Sequence, residues 1–213
     1  ITLEHEYILV FRKGDRRALG QDDGERARRR RSAFFWEERN LWFSDVWDLR
    51  GSRQSLRGSG GGRERSGAFP VELAFRLINM YSLQGDVVLD PFLGTGTTTL
   101  AAMATGRSSL GVEVDAGLEP VVRDTMERAQ AWSSKRQKRR LADHNEFVRR
   151  YTSDKGYPPK YMNEPHGIPV VTRQETELVL PVVTEIRDVR NGESEGPSGS
   201  WDVVYRLRLS PLH

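Results

Sequence analysis

The residues from Asp90 to Glu113 could bind a nucleoside ligand. The motif Asp-Pro-Phe-Leu-Gly-Thr-Gly-Thr-Thr, which begins at Asp90, follows a short apolar run. Its glycines let a ligand approach the backbone, and a helix starting at Thr97 presents N–H groups and a positive dipole end to a carboxylate. Glu113, about 19 positions after Gly94, ends the next apolar run, where it can accept hydrogen bonds from a ribose diol.

Two other ligands of glycine-rich loops fit this motif less well. A phosphate-binding P-loop needs a lysine and a hydroxyl residue after its last glycine, whereas Gly96 is followed by three threonines. A dinucleotide fingerprint needs a third glycine three positions after the second, and Thr99 stands there. The motif therefore favours an uncharged or zwitterionic nucleoside over a pyrophosphate.

A strand, a turn, a helix and a second strand must position these residues. "DVVLD" and "SSLGVEVD" predict two short buried strands, and "TGTTTLAAMATG" between them predicts a turn and a helix that ends near Gly106. A preceding helix starts at Pro70, stops at Gly85 and has an apolar face comprising Leu73, Ala74, Leu77, Ile78, Met80 and Tyr81. Another helix begins near Gly117. This order predicts an α/β fold with a mostly parallel sheet, helices on both of its faces and a ligand at its carboxyl edge.

Four zones of the chain differ in composition. Residues 1–13 contain the apolar run "YILVF" at residues 7–11, which predicts a buried strand of the core sheet. Residues 14–67 combine a basic run, an aromatic patch and a mobile glycine-rich stretch, which predicts an irregular insertion. Residues 68–133 hold the βαβ unit. Residues 134–213 hold the basic run "KRQKRR", typical of a solvated helix end, and a two-stranded C-terminal β extension of unknown role.

The segment from Phe69 to Asp115 resembles the cofactor-binding half of the amino-methylating DNA methyltransferases, which make N6-methyladenine or N4-methylcytosine. The residues Phe92-Leu-Gly94-Thr-Gly96 match the Phe-x-Gly-x-Gly cofactor motif of that family. The "AFPVEL" helix stands just before it, as in the subgroup whose cofactor half follows its catalytic half. The resemblance covers roughly residues 4–132 and is strongest over residues 68–115.

The resemblance implies a Rossmann-like fold, S-adenosyl-L-methionine as cofactor, and a role for each matching residue. Glu113 would hold the ribose hydroxyls, Asp90 would face the methionine amino group, and Phe92 would line the pocket. Gly94 and Gly96 would give the ligand access to the backbone, while Phe69 would close the methionine side. The residues implied in cofactor binding are Phe69, Asp90, Pro91, Phe92, Gly94, Gly96, Thr97, Thr98 and Glu113.

The catalytic motif of the family is missing from this sequence. These enzymes hold the target amine with Asp, Asn or Ser followed by Pro-Pro and an aromatic residue, which stacks on the flipped base. Pro158-Pro159 is preceded by Tyr157 and followed by Lys160, so it predicts a turn. We therefore assign no catalytic residue, and expect the motif on a segment upstream of Ile1 or on a second polypeptide.

Double-stranded DNA is the partner that the resemblance implies. Residues 14–67 occupy the place of the family's target-recognition insertion, and a run beside the aromatic patch suits phosphate contacts: Arg28, Arg29, Arg30 and Arg31. A solvated basic helix face is the alternative. Two other functions stay open, namely a non-catalytic cofactor- or DNA-binding subunit that needs a partner chain, and an S-adenosylmethionine enzyme acting on RNA or a small amine. The target sequence, the choice of adenine or cytosine and the oligomeric state, a homodimer included, stay undetermined.

Composition narrows the class of protein only coarsely. The 33 Lys and Arg against 30 Asp and Glu give a formal net charge of +3, which does not itself indicate a polyanionic partner. No apolar run approaches the roughly 18 residues of a membrane span, and no signal pattern opens the chain, so we expect a cytoplasmic protein without a membrane partner. The absence of cysteine excludes disulfides and thiolate metal sites, and we predict no metal site.

Overall fold

The computed structural model describes residues 5–15, 22–49 and 69–188, and the backbone of residues 201–206. Its α-helices are α1 (Asp23–Arg31), α2 (Trp36–Trp42), α3 (Val71–Tyr81), α4 (Thr97–Ala104), α5 (Glu119–Glu127) and α6 (Ala129–Lys155). Its strands are β1 (Val87–Asp90), β2 (Ser108–Gly111), β3 (Tyr161–Asn163), β4 (Ile168–Val170), β5 (Val182–Asp188) and β6 (Trp201–Arg206). Short 3₁₀ helices span Ala116–Leu118 and Arg173–Glu175. Within these ranges, every helix is too short or too polar to cross a membrane.

Strands β1 and β2 are parallel neighbours joined by helix α4. Their register pairs Val87 with Ser108 and Leu89 with Leu110. Parallel strands need a crossover connection, and α4 supplies it. The α/β class, the parallel pairing and the βαβ unit predicted from the sequence are therefore confirmed.

One face of this parallel pair packs against helices, and the other is exposed. Val88 contacts a core cluster that includes Ala101 and Phe75. Leu89 and Leu110, which point to the opposite face, are 62% and 56% exposed. The prediction of two buried strands is thus wrong for that face, since no element in the described ranges covers it.

The apolar run at residues 7–11 does not form the predicted buried strand. The described residues 5–15 have no regular secondary structure, and no strand in the described part of the chain pairs with them. Tyr7 and Phe11 are 83% and 86% exposed. A strand is stabilised by pairing with neighbours, and apolar content without a neighbour is not sufficient.

Helix α3 buries a slightly different face from the predicted one. Its buried residues include Ala74, Phe75 and Ile78, whereas Tyr81, which the periodicity placed on the apolar face, is largely exposed. Phe75 is fully buried and contacts the rings of Trp42 and Trp132 edge to face. Phe75 is therefore the main contact of this helix with the core.

The insertion predicted to be irregular is partly helical, since α1 and α2 lie within residues 22–42, whereas residues 43–49 have no regular secondary structure. Phe35 and Trp42, members of the aromatic patch, are almost completely buried. Phe35 stacks on His144 of α6 with a centroid distance of 3.9 Å. The glycine-rich stretch predicted to be mobile lies outside the described residues.

The basic run predicted to be a solvated helix end lies in the middle of α6. The side chain of Arg140, 2% exposed, donates hydrogen bonds of 2.6 and 2.7 Å to the two carboxylate oxygens of Glu38. Its guanidinium also lies within 6 Å of the rings of Phe35, Trp42 and Phe75. This bidentate pair joins α2 to α6 inside the aromatic core.

His144, one turn further along α6, is fully buried. Its Nδ1 lies 2.8 Å from Glu37 Oε1 and its Nε2 lies 2.9 Å from the carbonyl oxygen of Pro169, so both nitrogens face acceptors. Burial lowers the pKa of His144, but the hydrogen bond and charge of Glu37 outweigh it and raise the pKa overall. Burial and the charges of Arg140 and His144 lower the pKa of His166 to about 4.

The C-terminal part packs on the same helices through two antiparallel pairs. Strand β5 pairs with β6, which confirms the predicted two-stranded extension, and the pair of β3 with β4 was not predicted. Val170, Leu178 and Leu180 share a core cluster with Phe35. Glu175 accepts the Trp36 N–H at 2.8 Å, and burial raises its pKa despite such bonds.

The buried pair predicts a large stability difference between two adjacent arginines. Arg140→Leu should lower the free energy of unfolding by about 3–5 kcal/mol, because it leaves the Glu38 carboxylate buried and unpaired. Arg139→Leu, which removes an exposed pair with Asp143, should cost less than about 1 kcal/mol. Urea denaturation measures both values. Stability regained in the double variant Arg140→Leu/Glu38→Leu would support the explanation, and equal losses for the two arginines would contradict it.

Candidate functional site

The glycine-rich loop at residues 91–96 lies against the carboxyl end of β2. The Val112 N–H donates to the carbonyl of Asp90 at 2.9 Å, and the Leu93 N–H donates to the carbonyl of Val112 at 2.8 Å. The ladder between β1 and β2 thus continues past the last residues of both strands. This places the loop at the edge where ligands of parallel sheets bind.

Glu113 joins the loop to the end of β2. Its Oε2 accepts the N–H of Gly94 at 2.8 Å, and its Oε1 accepts the N–H of Asp115 at 2.9 Å. Both bonds are charge-assisted, so they fix the orientation of the partly buried carboxylate. The structure therefore brings together the glycine motif and the acid that the sequence analysis selected.

The two glycines of the motif have positive φ angles but different surroundings. Gly94 has φ 56° and Gly96 has φ 84°. A Cβ built on Gly94 has the carbonyl oxygen of Phe92, 3.8 Å away, as its nearest neighbour. A Cβ on Gly96 would lie 3.1 Å from Met126 Cε and 3.4 Å from Val122 Cγ1. Gly94 thus borders open space, whereas Gly96 lets the start of α4 pack on α5.

Helix α4 starts at the end of this loop without a side-chain cap. Thr97, in its first turn, is buried, and Thr98 is partly buried. The N–H groups of an α-helix's first turn have no intrahelical acceptor. The helix start is therefore suited to bind an anionic group.

The remaining predicted binding residues frame the loop. Asp90 Oδ1 accepts the N–H of Phe92 at 3.0 Å, which makes a tight turn at the end of β1. Phe92 is 88% exposed, and the neighbouring Pro91 is exposed too, so the Phe92 ring is accessible to a ligand. Phe69 is partly exposed just before α3, the helix that packs on α4.

Two of the four predicted DNA-binding arginines of α1 bind acidic side chains of this chain, and the other two have exposed side chains. Arg28 donates to the carbonyl of Gln84 at 2.6 Å and to the carboxylate of Asp86, and Arg30 pairs with Glu177 at 2.5 Å. Arg29 and Arg31 are exposed. Arg28 thus attaches α1 to the turn before β1, which is a structural role that the charge run did not indicate.

Sequence reasoning missed Gly111 and Leu93. A Cβ on Gly111 would lie 2.6 Å from Leu93 Cδ1, which is closer than carbon atoms can approach. The available signal was a glycine inside a strand pattern, which often marks a close approach. The prolines at 158–159 follow the end of α6, and their backbone has no regular secondary structure.

These features define the class of the protein. A glycine loop, a strand-end carboxylate and an uncapped helix start meet at the carboxyl edge of a parallel βαβ unit, as in α/β proteins that bind nucleoside cofactors. The chain belongs to the DNA methylase family, whose model matches residues 1–124.

One of two similar curated relatives matches a larger part of the chain than the family model does. The Type II methyltransferase M.MthZI of Methanothermobacter thermautotrophicus is 45% identical over 196 residues, which are 92% of this chain and 53% of that protein. M.MjaI of Methanocaldococcus jannaschii, also a Type II methyltransferase, is 44% identical over 58% of this chain and 39% of its own length. The chain thus spans about half the length of the first of these relatives and less of the second, and the similarity to M.MthZI extends past residue 132.

A solved structure is also similar to the chain. It is a provisionally assigned DNA modification methylase from Thermus thermophilus, complexed with S-adenosyl-L-methionine. The identity is 35%, the TM-score is 0.43, and the match covers 55% of this chain and 40% of that one.

The different surroundings of the two loop glycines predict different costs of alanine. Gly94→Ala should lower the free energy of unfolding by roughly 1–2 kcal/mol, from backbone strain alone. Gly96→Ala should lower it by roughly 2–4 kcal/mol, because its Cβ also presses on Met126. Chemical denaturation measures both. Equal losses would show that the packing of α4 on α5 does not depend on Gly96.

Proposed function

We infer that this chain binds S-adenosyl-L-methionine for methyl transfer to the exocyclic amine of adenine (N6) or cytosine (N4) in duplex DNA, as in a restriction-modification system. The supporting observation is the Glu113 carboxylate held 2.8 Å from the N–H of Gly94, beside the start of α4. Membership of the DNA methylase family and relatives named Type II methyltransferases support the reaction class.

The residues present fit the cofactor. A carboxylate has about four acceptor sites, so Glu113 can hold its backbone partners and accept hydrogen bonds from two ribose hydroxyls. Gly94 leaves open space where a side chain would stand, and the N–H groups of the first turn of α4 suit the methionine carboxylate. The exposed ring of Phe92 can contact the adenine. When bound, the cofactor supplies an activated methyl group.

We propose that the group that accepts hydrogen bonds from the target amine comes from a segment outside these 213 residues. The motif Asp, Asn or Ser followed by Pro-Pro and an aromatic residue does not occur in the sequence. The exposed apolar face of the β1–β2 pair is where such a segment would pack. The face comprises Val87, Leu89, Leu110, Val112 and Val114.

The proposed DNA contacts are the arginines of α1. Arg29 and Arg31 are exposed, whereas the charges of Arg28 and Arg30 are balanced by Asp86 and Glu177. Phosphate contacts from arginine position a protein on DNA without reading its sequence. We also propose that residues 14–67 are the target-recognition insertion.

The role of Glu113 predicts a cofactor-binding defect that depends on the ribose. Isothermal titration of the pure chain should show S-adenosyl-L-methionine binding, weakened about 10- to 100-fold in Glu113→Ala through loss of hydrogen bonds to a charged acceptor. An analogue lacking the 2′- and 3′-hydroxyls should bind the wild type weakly, and Glu113→Ala should weaken the analogue by a smaller factor than it weakens S-adenosyl-L-methionine, because only the ribose contacts are missing from the analogue.

Glu127→Ala is the matched control, since it removes an exposed carboxylate from α5 that is not among the residues proposed to bind the cofactor. It should bind the cofactor like the wild type. No binding by the folded wild-type chain would contradict the proposed function. If the analogue bound more weakly than S-adenosyl-L-methionine by the same factor in the wild type and in Glu113→Ala, the contact between Glu113 and the ribose would be contradicted.

The exposed sheet face predicts which surface the missing segment covers. Mixing the chain with a relative's polypeptide that carries the acceptor motif should restore transfer of labelled methyl groups to duplex DNA. Leu89→Arg should abolish this restoration, because a buried unpaired charge prevents packing. Ala142→Arg, an exposed position on α6, should not.

Circular dichroism checks that both variants fold. Methylation of DNA by the chain by itself would contradict the proposal of a segment outside it. Full restoration of methyl transfer with the Leu89→Arg variant would contradict the proposal that the missing segment packs on the apolar face.

A further inference from the structure

The side chain of Leu93 lies directly over Gly111. A Cβ built on Gly111 would stand 2.6, 2.9 and 3.1 Å from Leu93 Cδ1, Cδ2 and Cγ. Non-bonded carbon atoms settle at about 3.5–4.0 Å, so any side chain at position 111 must displace Leu93. Gly111 does not have a positive φ angle, so the backbone itself would accept alanine. The requirement for glycine is therefore purely one of space.

This contact is the first of three successive contacts between the loop and the end of β2. Leu93 lies over Gly111, the Leu93 N–H donates to the carbonyl of Val112 at 2.8 Å, and the Gly94 N–H donates to Glu113 Oε2 at 2.8 Å. The Gly94 N–H belongs to the same planar peptide unit as the Leu93 Cα, and that unit moves as a rigid group. A displacement of Leu93 thus moves the Gly94 N–H relative to the Glu113 carboxylate.

Leu93 has little freedom to move away from Gly111. Besides lying over Gly111, the partly buried Leu93 packs against a core cluster that contains Leu100, Val122 and Met126. Such close-packed interiors accommodate even one additional methyl group poorly. A side chain at position 111 would therefore shift the loop instead of a flexible surface group.

We propose that Leu93 and Gly111 are a positioning pair that sets the separation between the glycine loop and the Glu113 carboxylate, and through it the affinity for the cofactor. This inference rests on the proposed function. The pair acts through Gly94 and Glu113, which are the residues proposed to meet the ligand.

A double-mutant cycle tests the pair. Gly111→Ala should weaken S-adenosyl-L-methionine binding about tenfold or more, as expected for overpacking. Leu93→Ala should also weaken binding, because the loop loses its anchor. In the Leu93→Ala background, Gly111→Ala should have no further effect, since the three clashing atoms are gone. Ser108→Ala, an exposed position on β2, is the control and should bind like the wild type.

Hydrogen exchange of the Gly94 amide, measured without ligand, separates this inference from the proposed function. The amide should exchange faster in Gly111→Ala than in the wild type or in Ser108→Ala. If the wild type bound no cofactor, the proposed function would fail, and the exchange rates would still test the pair. Additive losses of affinity, or unchanged Gly94 exchange in a folded Gly111→Ala, would overturn the inference.

Discussion

The carboxylate of Glu113 fixes the geometry of the whole candidate site. By accepting the N–H of Gly94 and the N–H of Asp115, it holds the loop before α4 and the turn after β2 at the same time. Because α4 begins where the loop ends, the helix start and the carboxylate keep a constant separation. A ligand with a diol at one end and a carboxylate at the other can therefore meet two complementary groups whose positions are already set, without a cost in ordering them.

Helices α1 and α2 are attached to the rest of the fold by ion pairs as well as by apolar contacts. Arg28 binds the turn before β1, and Arg140 binds Glu38 within a group of aromatic rings. Buried ion pairs contribute little net free energy, but they disfavour arrangements in which either partner is left unpaired. Part of the positive charge that suggested DNA contact thus specifies how α1 and α2 pack, and exposed arginines such as Arg29 are the ones proposed to contact phosphate.

The apolar face of the β1–β2 pair shows where local patterns stop being informative. Val87 and Leu89 have the composition of a buried strand, and so does the run at residues 7–11. Composition reports that a segment can be buried, whereas burial requires another element on the correct side. In the described part of the chain that element is absent, so these side chains are exposed. The family resemblance nevertheless follows from the adjacent motif residues Phe92, Gly94 and Gly96, because that motif depends on spacing and not on burial.

The sequence by itself determined the α/β class, the βαβ unit, the order of its helices, and the pairing of the glycine motif with Glu113. These follow from local rules, namely apolar periodicity, glycine at positive φ, and the meeting of parallel strands at their carboxyl ends. Only the tertiary structure decided that Phe75 and Arg140 are core residues, that Arg28 is structural, and that Gly111 must lack a side chain. Each of these depends on a partner distant along the chain, such as Glu38 for Arg140 or Leu93 for Gly111, and no local pattern encodes which distant residues will meet.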